Sequence, residues 1–400
     1  MSYKIYGPTG FKKYFYNNTK NQSIKSGLEI DVISDGIIAV EQKSSAYGVF
    51  DNELKFIKSS CQLRNKDSQF IPKFDNTDIP FINETVLYFG NVYPQFGHFM
   101  LEHMNRAWGL LDDRYKNTKV VLVNNKNVSV PEYMYKLIEL LGVKRDDIII
   151  LNQTTKFRQV IVPAQGFNVP VFSSYEFIST YNKISKDIAS KNIVHEKIYV
   201  SRTALGSKKT IGEEKIQKIF EKNGFFVVCP ETLPLSEQVS LMKNCKVLAG
   251  CAGTALHLAL FMPNGGQVIQ IKRNRRNKCN ALIQYLINKT KNIDSVFICA
   301  SIELDKTDHG TSAPQIISVN KYLCQFFKDF DFKYDESDIS VDTQAWQEYK
   351  TLMDEYSKQK GSVFLNEFKH KIIKIVSCFV PGRQRRGRFR KWLKKLLKQN

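Results

Sequence analysis

The stretch KVLAGCAGTALHLALF, Lys246–Phe261, holds an apolar strand, small residues after Gly250, and a helix opening near Thr254. Short apolar strands that pass into helices through small-residue turns belong to parallel, doubly wound sheets. Backbone at such a turn can approach a ligand closely, and the helix start offers free N–H groups and partial positive charge to a diphosphate. The same turn also serves a strand that only needs to pack against its neighbour.

The pattern extends outward from this stretch. KIYVSR at 197–202 precedes the helix GEEKIQKIFEKNG, then FFVVCP, the helix LSEQVSLMKN, QVIQI at 267–271, a helix near 279–289, and SVFICA. An earlier strand–helix–strand rhythm runs through KVVLV at 119–123, PEYMYKLIELLGV at 131–143, DDIIIL at 146–151 and QVIVPA at 159–164. Two such units predict an α/β protein of two doubly wound, Rossmann-type lobes with a cleft between them. The expected division is a β-rich lead-in of the N-terminal lobe over 1–90 and an N-terminal α/β lobe over 91–190. A C-terminal α/β lobe over 191–325, a helical return segment over 326–360 and a basic tail over 361–400 complete it.

With 400 residues, 42% of them hydrophobic, the chain can fill two cores. Its eight cysteines form no C-x-x-C pairs, so neither zinc nor a disulfide framework is expected. MSYKIYGPTGFKKYFYNN lacks a continuous apolar run, and no eighteen-residue apolar stretch occurs, so a cytoplasmic protein without a membrane span is expected. The net charge of +20 is concentrated late: fourteen Lys and Arg lie between Lys358 and Asn400 against one acid, Glu367. In the tail, Phe389, Trp392, Leu393, Leu396 and Leu397 form one apolar helical stripe, with Arg388 and further cations beside it. That pattern predicts an amphipathic helix lying on an anionic membrane surface.

YPQFGHFMLEHMNRAWGLL, Tyr93–Leu111, puts a titratable imidazole, a carboxylate and a guanidinium on an otherwise apolar helix. At a spacing of four, His98, Glu102 and Arg106 share one line, while His103 points elsewhere. The alternative for His98 and Glu102 is a polar pair closing a helix start. Ser201 and Arg202 end the KIYV strand, with Lys208 and Lys209 on the next loop; cations there converge on the crevice above the sheet and can neutralise phosphates.

GHFMLEHMNR, IYVSR with its following KK-x-x-GEE, GFFVVCPETLPLSEQVSLMKNCKVLAGCAGTALHLALF and GGQVIQI together resemble glycosyltransferase family 61, the capsular polysaccharide biosynthesis type, over roughly residues 85–275. The resemblance implies a two-lobed GT-B fold and inverting, metal-independent transfer from a nucleoside diphosphate sugar, with UDP favoured. The acceptor would be a glycan or lipid-linked glycan of a capsule or lipopolysaccharide pathway, met by an enzyme peripheral on the inner face of the cytoplasmic membrane. The family's His-x-x-x-Asp/Glu falls on His98 and Glu102 as catalytic pair, and its following arginine on Arg106 as acceptor-side support. Its donor site falls on Ser201, Arg202, Lys208 or Lys209, Gly212–Glu213, Pro230–Glu231, Glu237–Gln238 and the turn through Gly250, Gly253, Thr254 and Ala255. Either the pair supplies base and orienting carboxylate, or Glu102 is the base and His98 binds the acceptor. Many relatives read His-Gly-Ala-Gly-Leu where this chain has Cys251-Ala252-Gly253-Thr254-Ala255, which leaves the histidine's part missing or transferred to His257.

No cofactor is implied: the only Asp-x-Asp, Asp329–Asp331, falls far in sequence from the glycine turn. Two other classes compete. A nucleotide-dependent Rossmann enzyme would show G-x-G-x-x-G after its first strand, and none occurs. A nucleic-acid-binding protein would use the basic tail, but the rest of the chain carries little excess charge and the tail's apolar spacing suits a lipid interface, so no nucleic-acid partner is expected.

Overall fold

The computed structural model describes residues 1–41, 46–61, 73–74, 78–189, 194–205, 210–274, 279–302, 313–339 and 343–359. Lys208, Lys209 and the tail residues Arg388, Phe389, Trp392, Leu393, Leu396 and Leu397 lie outside the described residues. The strands before residue 165 are β1 (Tyr3–Tyr6), β2 (Ser23–Lys25), β3 (Ile30–Ser34), β4 (Ile37–Glu41), β5 (Ala46–Phe50), β6 (Phe81–Asn91), β7 (Lys119–Val123), β8 (Ile148–Leu151) and β9 (Thr155–Pro163). Those after it are β10 (Phe167–Asn168), β11 (Phe172–Ser174), β12 (Lys197–Val200), β13 (Thr210–Ile211), β14 (Phe226–Val228), β15 (Val247–Cys251), β16 (Gln267–Lys272), β17 (Asp294–Cys299) and β18 (Gln315–Ile316).

Six of them form a fully parallel sheet in the order β1-β17-β16-β15-β12-β14. Such strands need cover on both faces, which is why they read as near-continuous apolar runs. Ile198, Val200, Leu248 and Val268 pack to one side, against Leu256 and Leu260 of the 3₁₀-helix Thr254–Phe261 and Leu286 of the helix Cys279–Thr290. Tyr199, Ala249, Ile269 and Ile271 pack to the other, under Phe220 of the helix Glu213–Lys222 and Phe326 of the helix Lys321–Asp329.

β1 departs from the expected division, in which residues 1–90 lead into the N-terminal lobe. It pairs with β17, from Tyr3 opposite Ser295 to Tyr6 opposite Ile298. The next helix, Thr9–Thr19, buries Phe11 and Phe15 against Ala281, Leu282 and Phe297, because its apolar residues lie four apart on one face.

The other large sheet is mixed rather than doubly wound throughout. β8, β7, β6 and β9 run parallel; β3 and β4 both flank β9 antiparallel, with β5 antiparallel beyond β4. β3 and β4 are consecutive segments of one run along β9, broken at Asp35-Gly36, with Ser34 opposite Gln159 and Ile37 opposite Lys156 in the same register. The core is continuous between the sheets: Leu87, Phe89, Phe99, Met100 and Met104 belong to the same buried cluster as Leu248, Leu256 and Leu260.

The stretch around His98 is helical but not regular α. One α-helical turn, Phe96–His98, gives way to a π-helical turn, Phe99–His103, and a 3₁₀-helix, Met104–Leu111. With three residues per 3₁₀ turn, a step of four rotates roughly 120° away, so Arg106 leaves the line of His98 and Glu102. Its guanidinium is buried over the Tyr88 ring and donates to the carbonyls of Pro163 and Cys61. The structure thus makes Arg106 a brace between three segments, correcting its expected place beside the acceptor. Arg106→Ala is expected to cost on the order of 3–5 kcal/mol in denaturant unfolding, by leaving buried carbonyls unpaired and a void behind. A loss of stability below about 1 kcal/mol would contradict the brace.

Candidate functional site

Strand order reverses at β12, whose neighbours β14 and β15 follow it in the chain on opposite sides, so a crevice opens beyond the C-terminal ends of β12 and β15. Ser201 and Arg202 leave β12 there and Ala252–Gly253 leave β15. Gly250 and Gly253 serve different ends. A Cβ on Gly250 would lie 2.6 Å from the Val200 carbonyl oxygen, so its small size admits the neighbouring strand. A Cβ on Gly253 would lie 2.6 Å from Arg202 Nη1, so its bare backbone is what lets the guanidinium lie against the turn.

Arg202 is not the only cation in this crevice. Arg273, just after β16, donates from Nε to the Ala252 carbonyl at 2.9 Å and from Nη1 to Thr210 Oγ1 at 3.4 Å. Burial, reinforced by the nearby Arg202 charge, lowers its pKa to about 10. Sequence reading missed Arg273; the signal was an arginine just past a strand's C-terminal end, the position Arg202 occupies after β12. The buried Glu213 carboxylate accepts from the Arg202 backbone N–H at 3.1 Å and from Tyr199 Oη at 3.4 Å. Burial pushes this carboxyl up to about 7 against the pull of Arg202 and Arg273. Gly212 opens the Glu213–Lys222 helix at φ +86°, in close approach to the Ile317 carbonyl.

Beside the crevice lies a cavity of about 920 Å³. Ser201, Arg202, Pro230, Glu231, Gln238, Thr254 and Ala255 line it from the six-stranded side, while Phe96, Tyr133, Lys136 and Leu140 face them from elements that follow β6 and β7. Ser201 Oγ is 2.8 Å from Thr203 Oγ1 and accepts from the Thr203 N–H at 3.1 Å, which fixes the turn leaving β12. Gln238 donates to the carbonyls of Pro230 and Leu233, at 2.8 and 3.0 Å, and so holds the Pro230–Glu231 turn against the cavity. Glu237, half-buried on the helix Leu235–Met242, is not among the lining residues.

His98 and Glu102 do pair, with Nδ1 and Oε1 2.5 Å apart; the imidazole is about a third exposed and the carboxylate nearly covered. Neither lines the cavity, but Phe96 on the same turn does. Gly97 comes so close to Thr254 that any side chain on it would collide with the threonine methyl, and its Cβ position lies 3.5 Å from His257 Cδ2. The α-helical turn Phe96–His98 therefore meets the start of the Thr254–Phe261 helix directly. His257 is buried, holds Gln284 Oε1 at 3.1 Å through Nδ1, and is pushed down to about 4 by burial, with His98 acting in the same direction. His103 is buried with its ring stacked on Phe99 at 5.8 Å. Asp329 of the Asp-x-Asp triplet accepts from Tyr6 Oη at 2.8 Å and from Gln325 at 2.7 Å. Among the described residues no three His, Cys, Asp or Glu side chains gather as metal ligands would, and no helix is long and apolar enough to cross a membrane.

Comparison with known proteins bears on this geometry. No curated protein matches the chain. Among solved structures, the iron-containing dodecameric glycosyltransferase TibC from enterotoxigenic E. coli H10407 aligns at 10% identity and a TM-score of 0.26, covering 68% of this chain and 96% of its own. Nothing about the present site rests on so distant a likeness. The model of the family described as Glycosyltransferase 61 matches residues 96–269, from the turn that opens with Phe96 through β16, a span that includes His98, Glu102, Arg202, Glu213 and Gly253. Residues 96–269 form a glycosyltransferase family 61 domain, and the chain is a glycosyltransferase, an enzyme that moves a sugar from a donor to an acceptor.

Proposed function

We propose that the enzyme is an inverting, GT-B-type glycosyltransferase that moves a sugar from a nucleoside diphosphate sugar, UDP-linked by preference, to a glycan acceptor without a metal ion. The observation that carries the reading is Arg202 lying against bare Gly253 at the mouth of a cavity whose opposite wall begins two residues before His98. The diphosphate lies against the Arg202 guanidinium and the free N–H groups at Thr254 and Ala255, with Arg273 adding charge from behind. These cations take up the negative charge that grows on the leaving group. On the other side the His98–Glu102 pair removes the proton from the attacking hydroxyl, which enters from the face opposite the diphosphate and so inverts the anomeric centre. The pair acts as a unit, one member holding the other.

The tail's apolar stripe and flanking cations support a peripheral location on the inner face of the cytoplasmic membrane, where a lipid-linked acceptor of a capsule or lipopolysaccharide pathway is within reach.

Arg202→Ala is expected to weaken UDP binding by about 2 kcal/mol or more in calorimetric titration, the scale of a lost charge-assisted contact. Unchanged UDP affinity would count against the donor site, as would activity abolished by EDTA and restored by Mn²⁺. His98→Ala and Glu102→Gln should each slow transfer roughly a hundredfold or more while UDP affinity stays as it was. Near-normal turnover in either folded variant would assign that residue to helix packing. A chain ending at Val380 should keep UDP binding and lose most of its sedimentation with anionic liposomes; equal sedimentation with and without Gly382–Asn400 would sink the membrane assignment.

A further inference from the structure

A line of buried amides runs behind the glycine turn. Asn288 Nδ2 donates to Ser295 Oγ at 2.9 Å, Asn288 Oδ1 accepts from Gln284 Nε2 at 2.9 Å, and Gln284 Oε1 lies 3.1 Å from His257 Nδ1. Gln284, Asn288 and Ser295 are each at most 1% exposed, so water does not compete for these groups. With Gln284 presenting its carbonyl oxygen, the histidine must donate from Nδ1, which leaves the lone pair on Nε2. A second proton is opposed by burial and by the nearby His98 ring. The free edge of the imidazole is also located. Cδ2, bonded to Nε2, is the ring atom next to the Gly97 Cβ position, so this edge faces the turn that carries His98.

We infer that the amide relay holds His257 as the Nδ1–H tautomer so that Nε2 accepts a hydrogen bond from a hydroxyl of the transferred sugar, a role that rests on the nucleotide-sugar reading given above. The 3₁₀ geometry makes this the right place. Side chains three apart eclipse in such a helix, so His257 stands directly behind Thr254, which lines the cavity. At about 2 Å of rise per residue, His257 lies roughly 8 Å along the helix from Gly253. A sugar whose diphosphate rests on Gly253 and Arg202, and whose anomeric carbon must meet a hydroxyl held at His98 and Glu102, spans this interval. A fixed acceptor that cannot donate selects a hydroxyl over a group lacking a proton, because a sugar without that hydroxyl leaves a buried nitrogen unpaired.

Two measurements on the full chain test the inference. Nitrogen-15 NMR of the histidine side chains, assigned with His257→Phe, should show Nδ1 protonated, Nε2 bare, and no titration between about pH 5 and 8. In Gln284→Leu, which touches the relay and not the cavity, the tautomers should mix. A proton on Nε2 in the native protein, as a relay reversed through both amides with Ser295 donating would give, overturns the inference. So does titration in that range. The second measurement compares the affinity of UDP with that of UDP-glucose, UDP-galactose and UDP-N-acetylglucosamine. For whichever sugar binds more tightly than UDP in the native protein, His257→Phe should reduce that advantage about tenfold and leave UDP itself unchanged. An unchanged advantage, or an equal loss for UDP, refutes the role of His257 alone. Native protein that binds neither UDP nor any of the UDP-sugars refutes the nucleotide-sugar reading and, with it, the sugar partner assigned here.

Discussion

The arrangement depends on one approach that admits no side chain: Gly97 against Thr254, with His257 in ordinary contact beside it. It joins the turn after β6 to the turn after β15, and a methyl group at position 97 would push the two apart. The contact is held from behind by the helix Tyr175–Asp187. Tyr181 Oη donates to the Met100 carbonyl at 2.5 Å, and Ser185 Oγ to that of Phe261 at 2.8 Å, so one helix grips the π-turn and the 3₁₀-helix together. Lys291 extends the clamp, reaching Asn182 Oδ1 at 2.7 Å and the Leu260 carbonyl at 3.0 Å. A cation at the C-terminal end of the Thr254–Phe261 helix complements the helix dipole whose other end faces the crevice.

Buried arginines divide by what occupies their donors. Arg106 turns its guanidinium to two carbonyls from distant segments and to an aromatic face, and its burial keeps it from a ligand. Arg202 is anchored mainly through its backbone, which donates to Glu213, and its Nε has no hydrogen-bond partner among the described residues. A buried donor without a partner is costly, so a site keeps one where something else will supply the acceptor. Glu213 limits the electrostatic cost of holding Arg202 and Arg273 side by side. Its own desolvation places the carboxyl near the point of losing its charge, so the trio's net charge is not fixed by its residue types alone.

Five strands of the six-stranded sheet, β12 and β14–β17, were legible because both faces of the sheet are covered, and each therefore writes itself as an apolar run between helical patterns. Three of the four parallel strands of the other sheet, β7, β8 and β9, were legible for the same reason, whereas β6 was not singled out. The strands of the sheet's antiparallel margin fall in the expected β-rich lead-in, but their pairing along β9 was not legible, since β3 is mostly exposed, and β1 had no way to announce that it crosses to the edge beside β17. The spacing of His98 and Glu102 correctly suggested contact, because they fall within little more than one turn whichever helix type connects them. The spacing to Arg106 misled, since it assumes 3.6 residues per turn where the chain tightens to three. Gly250 and Gly253 looked alike in sequence; only their neighbours, a strand carbonyl and a guanidinium, tell them apart.

In the proposed transfer, proton and leaving group depart on opposite sides of a gap that the Gly97 contact keeps narrow. The cations sit at the ends of β12 and β16, and the imidazole–carboxylate pair spans the α- and π-helical turns after β6. A single crevice holding both would let Arg202 pair with Glu102 and quench base and anion site together. In the proposed reading the base lies on the turns after β6 and not beside the cations, which avoids that pairing. A glycine at 97 lets the backbone, and not a side chain, set the width of the gap. The π-turn then serves a second purpose. It brings Glu102 back to His98, while the following 3₁₀ turns send Arg106 into the core.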